Sequence, residues 1–122
     1  MKGVGTDIVN VARLRRSLGR GTAFAEEVFS DEERRYCDAQ ARPAQHYAAR
    51  FAAKEAFLKA LGLGLFAGVA LRDVEVRRAD GGAPCLSLGP SAAAALARSG
   101  GGAPLLSLSH DGDVAIAFVV VP

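Results

Sequence analysis

QHYAARFAAKEAFLKALG, residues 45–62, is the stretch that decides the fold. Its alanines, leucines and long unbranched side chains make Gln45 to Leu61 a strong helix, and Gly62 just beyond is a helix stop. Glu55 and Lys59 stand four apart and share one face, while Arg50 and Lys54 form a neighbouring stripe by the same spacing. Phe51, Phe57, Leu58 and Leu61 supply the apolar contacts that hold such a helix on a core. Taken alone, Glu55 and Lys59 make an ordinary helix ion pair worth about 0.3–0.5 kcal/mol. Gly62-Leu63-Gly64 is weak as a phosphate loop, because no GxGxxG or Walker pattern surrounds it.

Working toward the N-terminus, Pro43 breaks the chain before this helix, and Ser30 with Glu33 matches a capping box. A helix is therefore expected from Asp31 toward Ala41. Val11 to Leu18 reads as a short helix stopped by Gly19 and Gly21, and Gly3 to Val9 as a strand. Toward the C-terminus, Val69 to Arg77 and Cys85 to Leu88 read as strands joined by the turn Asp80-Gly81-Gly82. Ser91 to Arg98 reads as an alanine-rich helix with Ser91 as its cap, ended by Gly100-Gly101-Gly102. Leu105 to Ser109 and Val114 to Val121 form a hairpin around Asp111-Gly112. Helices and strands mix without regular alternation, which favours an α+β class over a doubly wound sheet. No internal repeat or linker divides the chain, so a single domain over 1–122 is expected.

A chain of 122 residues, 50% of them apolar, can bury one modest core without disulfides or a structural metal. Cys37 and Cys85 lie far apart, with no Cys/His cluster near either, and suit a reducing cytosol. A formal charge of +2 is too small to argue for nucleic acid. No stretch approaches the ~20 apolar residues of a membrane-spanning helix. The apolar run at the start is short and broken by Asp7 and Asn10, so no signal peptide is expected. The basic residues are uneven: Arg13, Arg15, Arg16 and Arg20 fall in one short segment with no acid among them. On charge patterning alone they read as a solvated helix face.

Asp7 interrupts an apolar, β-branched run, where a carboxylate is costly unless it is paired, hydrogen-bonded or bound to a metal. It either faces solvent on an alternating strand or converges with Glu55 if that strand lies against the long helix. Two carboxylates are what a magnesium ion typically takes from protein, the rest of its shell being waters and substrate phosphates. Lys59, one turn beyond Glu55, would then be a point charge for a phosphate oxygen. Ser107, Ser109 and His110 suggest nucleophilic catalysis, but neighbours on one strand point to opposite faces, so Ser109 and His110 do not pair easily. His110, at the strand end, fits better as a donor to an anionic ligand.

Three segments together, Gly3-Val4-Gly5-Thr6-Asp7-Ile8-Val9, Arg50 to Gly62 and Leu106-Ser107-Leu108-Ser109-His110, resemble the holo-acyl-carrier-protein synthase family of 4′-phosphopantetheinyl transferases. Phe29-Ser30-Asp31-Glu32-Glu33 also resembles that family's lead into its second helix, and the resemblance spans essentially the whole chain in order. It implies an antiparallel sheet packed on a long central helix, assembled as a homotrimer with active sites between subunits. It implies transfer of phosphopantetheine from coenzyme A to a serine of an acyl carrier protein, fatty-acid or polyketide, with Mg2+ held by Asp7 and Glu55 and with Lys59 on the pyrophosphate. It puts Arg50, Gly62, Pro84, Ser109 and His110 at coenzyme A, with Arg50 and His110 toward its 3′-phosphate. It puts Arg13, Arg16 and Arg20 on the helix that meets the acidic carrier.

Two positions depart from the family pattern: Ala83 stands where a lysine is usual, and Asp111 where a threonine usually follows the histidine. The implied reaction is attack of the carrier's serine oxygen on the β-phosphorus, with adenosine 3′,5′-bisphosphate leaving. Such transfer needs positioning and charge neutralisation more than a nucleophile on the enzyme. The base stays open between Glu55, a water on the metal and a carboxylate of the carrier. Two rivals use the same residues: a metal-dependent phosphohydrolase, which would release pantetheine phosphate with no carrier, and a non-catalytic coenzyme A or carrier-binding module.

Overall fold

The computed structural model describes residues 2–65 and 67–122. Its elements run β1 (Gly3–Asn10), α1 (Val11–Leu18), α2 (Ala23–Val28), α3 (Asp31–Asp38), α4 (Pro43–Ala60), a 3-10 turn (Leu71–Asp73), β2 (Val74–Arg78), β3 (Pro84–Leu88), α5 (Pro90–Ser99), β4 (Leu105–Asp111) and β5 (Val114–Val121). The strands form an antiparallel three-stranded sheet, β1-β5-β4, and a separate antiparallel pair, β2-β3. The α+β class expected from the sequence is what the chain adopts.

The long helix starts two residues earlier than its composition suggests. Pro43 opens α4 rather than breaking the chain, because the first helical position needs no N–H and favours proline's fixed φ. At the other end Gly62 takes φ +71, the Gly62 N–H donates to the Lys59 carbonyl at 3.0 Å, and the Leu63 N–H donates to the Leu58 carbonyl at 2.8 Å. That pair of bonds closes the helix and brings Leu63 back over Leu58.

α4 lies between two apolar clusters. Ala52, Ala56, Phe57 and Leu58 pack with Val74, Val76, Val119 and Val121. Tyr47 and Ala48 pack with Val11, Leu14, Val28 and Phe29. A helix buried on two sides carries little amphipathic contrast, and this explains its alanine richness.

The seam between β1 and α4 is closer than side chains allow. A Cβ at Gly3 would overlap the Ala60 carbonyl, and one at Gly5 would overlap the Ala56 carbonyl and crowd the Ala60 nitrogen. With period-two alternation, Gly3, Gly5, Asp7 and Val9 face the helix, while Val4, Thr6, Ile8 and Asn10 face away. Gly5→Ala is expected to cost about 1–3 kcal/mol, since backbone rather than a mobile side chain must move. Urea unfolding checks this, and a change within error of zero would show that the seam can open freely.

A fully buried ion pair ties the helices to the second sheet. Lys54 Nζ donates to Glu33 Oε1 at 2.7 Å and to the carbonyls of Leu71 and Val74 at 2.9 and 2.7 Å. Glu33 also accepts from the Val76 N–H at 3.0 Å and completes the capping box with Ser30. Lys54 is thus removed from any surface stripe with Arg50. Its pKa is pushed down by burial, with Glu33 opposing.

Several element boundaries differ from expectation. Helix α3 ends at Asp38, short of Ala41, and the first half of the expected strand Val69–Arg77 becomes the 3-10 turn, leaving β2 to start at Val74. Ser91 is not the cap of α5: Gly89 takes that position and Pro90 follows it. The Ser91 N–H and hydroxyl both donate to Asp73 Oδ2, at 2.8 and 2.6 Å, and its oxygen accepts from the Ala70 N–H at 2.9 Å. Cys37 is buried and its thiol is pushed up to about 12 by burial, which keeps it protonated at neutral pH.

Candidate active site

Asp7 is placed by the pleat on the helix side of β1, where its side chain is 14% exposed. Its partner is Lys59, whose Nζ donates to Asp7 Oδ1 at 3.0 Å and to the Thr6 carbonyl at 3.1 Å. The four-residue spacing pointed to Glu55 as the partner of Lys59; the tight β1–α4 seam brings Asp7 within reach instead. Lys59 remains close enough to pull the pKa of Glu55 down, but burial dominates and Asp7's charge adds to it, so Glu55's carboxyl is held above the usual range.

Asp7 and Glu55 line one cleft of about 340 Å³, together with Ile8, Val9, Asn10, Arg13, Leu14, Ser17, Phe24 and Phe51. The cleft exists because α1 turns back from β1 immediately: Asn10 caps α1 by accepting from the Arg13 N–H at 2.9 Å. One wall is charged and the other is built by Leu14, Phe24 and Phe51. Two carboxylates opening together on a cleft are a donor set suited to a small divalent cation that keeps waters and phosphates as its other ligands. Among the described residues no group of three or more His, Cys, Asp or Glu gathers to hold a metal by itself.

Arg13, implied at the carrier, borders this cleft; Arg16 is exposed on the same helix, and Arg20, past the glycine, lines the adjoining surface with Ser17 and Phe24. Gly62 lies beyond the last turn of α4, three residues past Lys59.

The other implied ligands gather elsewhere. Arg50 is 2% exposed, with its guanidinium 4.3 Å above the Tyr36 ring and one nitrogen donating to the His46 carbonyl at 3.4 Å. His110 Nδ1 meets Gln45 Nε2 at 2.9 Å on the first turns of α4. Pro84 pairs with Arg78 in the β2-β3 ladder, beside the same cleft that Arg50, Tyr36 and Arg78 line. Ser109 faces the outer side of the sheet opposite Ile116, away from His110, as the strand period requires.

The chain thus holds two polar clusters. Arg50 and Glu55 are five residues apart, which is about 140° around an α-helix, so the two clusters lie on different sides of α4. Sequence reasoning missed Tyr36, Gln45 and Arg78 in the second cluster and Phe24 and Phe51 in the first. Phe51 reads from the sequence only as a core contact of α4, and the others carry no local motif; packing of α2, α3 and β2 around α4 assembles the two groups.

The sequence profile of the 4′-phosphopantetheinyl transferase superfamily matches residues 3–119. A holo-acyl-carrier-protein synthase of Syntrophotalea carbinolica is 50% identical over 121 residues, covering 98% of this chain and 94% of that protein. One of Geobacter metallireducens is 48% identical, covering 98% and 95%. Among solved structures, the holo-acyl-carrier-protein synthase of Neisseria meningitidis superposes with a TM-score of 0.91 at 36% identity, covering 100% and 98% of the two chains. That of Helicobacter pylori, solved with coenzyme A, gives 0.85 at 30% identity, covering 98% and 99%.

Proposed function

This chain belongs to the 4′-phosphopantetheinyl transferase superfamily, as a holo-acyl-carrier-protein synthase, and on that premise we propose that Asp7 and Glu55 hold magnesium at its reacting centre. The chain transfers the 4′-phosphopantetheine moiety of coenzyme A to a serine of an apo acyl carrier protein, leaving adenosine 3′,5′-bisphosphate. The observation that carries the residue assignment is the shared cleft of Asp7 and Glu55, with the Lys59 ammonium 3.0 Å from Asp7.

When bound, magnesium neutralises charge on the pyrophosphate. The protein's own part is positional. Lys59 spends two of its three donors on Asp7 and the Thr6 carbonyl, so its charge is fixed in direction and its third donor is left for a phosphate oxygen. Leu14, Phe24 and Phe51 form an apolar wall that thins the water beside the reacting phosphate, which strengthens each charge interaction there.

The site is proposed to span two subunits of a homotrimer. Val4, Ile8, Leu105, Ile116 and Phe118 are 38–62% exposed on the outer face of β1-β5-β4. They are contiguous, since Ile8 pairs with Ile116 and Phe118 sits opposite Thr6. An apolar sheet face of this kind calls for cover, and other copies of the chain are the proposed cover. Ser109 lies on that face, where its role at coenzyme A would be toward a neighbour's ligand. The separation of the two clusters around α4 supports the same arrangement: the pyrophosphate rests on Asp7, Glu55 and Lys59 of one subunit, and the 3′-phosphate on Arg50 and His110 of the next. Sedimentation is expected to report a trimer at micromolar concentration; an active monomer would overturn the shared site. We place the enzyme in the cytoplasm, where two free cysteines persist.

The carrier is proposed to dock on α1. Arg13 borders the cleft and Arg16 follows on the same face. Reversing both charges is expected to raise KM for the carrier about tenfold while leaving that for coenzyme A nearly unchanged, with the native KM rising with salt. An unchanged carrier KM would return both residues to a solvated face.

Mass spectrometry of an apo acyl carrier protein incubated with this chain, coenzyme A and magnesium tests the function. A gain of one phosphopantetheine mass is expected. Release of free phosphopantetheine without modification of the carrier would instead mark a hydrolase.

A further inference from the structure

Tyr36 stands among two arginines and a histidine. Arg50 stacks 4.3 Å above its ring, Arg78 sits 5.8 Å from the same centroid, and His46 meets it edge-on at 5.8 Å. Arg78 is held in place twice: its Nε donates to the Tyr36 hydroxyl at 3.2 Å, and one terminal nitrogen donates to the Gly82 carbonyl at 2.7 Å. Among the described residues, neither Arg50 nor Arg78 has a carboxylate partner. The nearby acids are occupied, Glu32 by Arg35 and Glu75 by Arg77.

Arg50, though almost wholly buried, leaves its Nε without a hydrogen-bond partner. A buried guanidinium with an unused donor is costly in a finished structure and expected in a receptor that awaits an anion. Arg50, Arg78 and Tyr36 line one cleft of about 390 Å³ with Val76, Arg77 and Glu32. The His46 pKa is lowered by its burial and then by Arg50, Arg78 and His110, so all three cationic or titratable neighbours reach one small region.

We propose that Arg78, fixed on Tyr36 at the β2-β3 turn, is a phosphate-reading residue of the coenzyme A site in this chain and helps to select ligands that carry a 3′-phosphate. The assignment rests on the reading above that Arg50 and His110 face that phosphate. Two further observations favour Arg78. The turn it reaches carries no lysine, because residue 83 is alanine. Its guanidinium is brought to that turn by the bond to the Gly82 carbonyl, which fixes a planar donor beside the cleft that Arg50 lines. Tyr36 acts as a positioning residue: it orients both guanidiniums through its ring and one through its hydroxyl.

Calorimetric titration with adenosine 3′,5′-bisphosphate and with adenosine 5′-monophosphate, which differ only in the 3′-phosphate, tests the proposal. The native chain is expected to prefer the bisphosphate. Arg78→Ala should reduce that preference about tenfold by weakening the bisphosphate alone, and Arg78→Lys should retain part of it. Tyr36→Phe, which keeps the ring but drops the hydroxyl, should give a smaller loss of the same kind. If Arg78→Ala weakens both nucleotides equally, or neither, Arg78 does not read the phosphate and the proposal falls. If Arg50→Ala abolishes the preference while Arg78→Ala keeps it, only the Arg78 assignment is lost. If neither substitution alters it, the 3′-phosphate subsite itself lies elsewhere.

Discussion

Asp7→Asn and Glu55→Gln are each expected to lower turnover by about 10²–10³-fold, the scale on which removing one preorganised electrostatic group slows a reaction that develops charge. Both substitutions keep the shape of the side chain, so unfolding midpoints should move little. The size of the effect follows from the site: the cleft offers two carboxylates, one of them held by the Lys59 ammonium, and each carboxylate removed halves the anionic donor set for magnesium. Chelation should silence the native chain, and added magnesium should restore it. Lys59→Ala should lower turnover as well as coenzyme A affinity, because a charge aimed at the pyrophosphate holds it in the ground state and binds it more strongly as charge develops on the leaving phosphate in the transition state. Steady-state kinetics at several magnesium concentrations decide the matter; full activity in Asp7→Asn or Glu55→Gln removes that residue from the assignment.

Lys54→Met is expected to destabilise the fold by about 3–5 kcal/mol, the cost of leaving one member of a buried pair without its partner. Lys54 and Glu33 have fully buried side chains, and Lys54 spends three donors on Glu33 and on the carbonyls of Leu71 and Val74. Methionine fills much of the space but leaves Glu33 charged in an apolar setting and those carbonyls unpaired. Glu33 cannot be neutralised without further loss, since it also accepts from the Val76 and Ser30 amides. Urea denaturation measures the difference. A loss below about 1 kcal/mol would mean that water or a rearranged neighbour satisfies Glu33, contrary to the closed network described.

Local signals in the chain proved reliable where the structural cause is itself local. The capping box at Ser30 and Glu33, the glycine that closes α4, and the alternation that turns Ser109 away from His110 all depend on residues a few positions apart. Asp7 was legible for a different reason, since a carboxylate inside an apolar strand demands an explanation wherever the strand goes. What could not be read was pairing across long separations. The partner of Lys59 is 52 positions away and that of Lys54 is 21, so helical spacing pointed to nearer but incorrect companions. Helix α2 escaped notice because AFAEEV is too short to show a period. Ser91 looked like a cap because it precedes an alanine run; Asp73, brought in by the 3-10 turn, takes up its hydroxyl instead.

The seam of Gly3 and Gly5 on Ala56 and Ala60 acts as a fixed spacer within the site. Backbone touches backbone there, so the gauge between the strand bearing Asp7 and the helix bearing Glu55 is set by atoms every residue shares. A change of side chain farther along α4, or in the sheet behind it, does not by itself reset that gauge. The two positions with no such latitude are glycines, which contribute no chemistry and act as the mould in which the reacting groups are set.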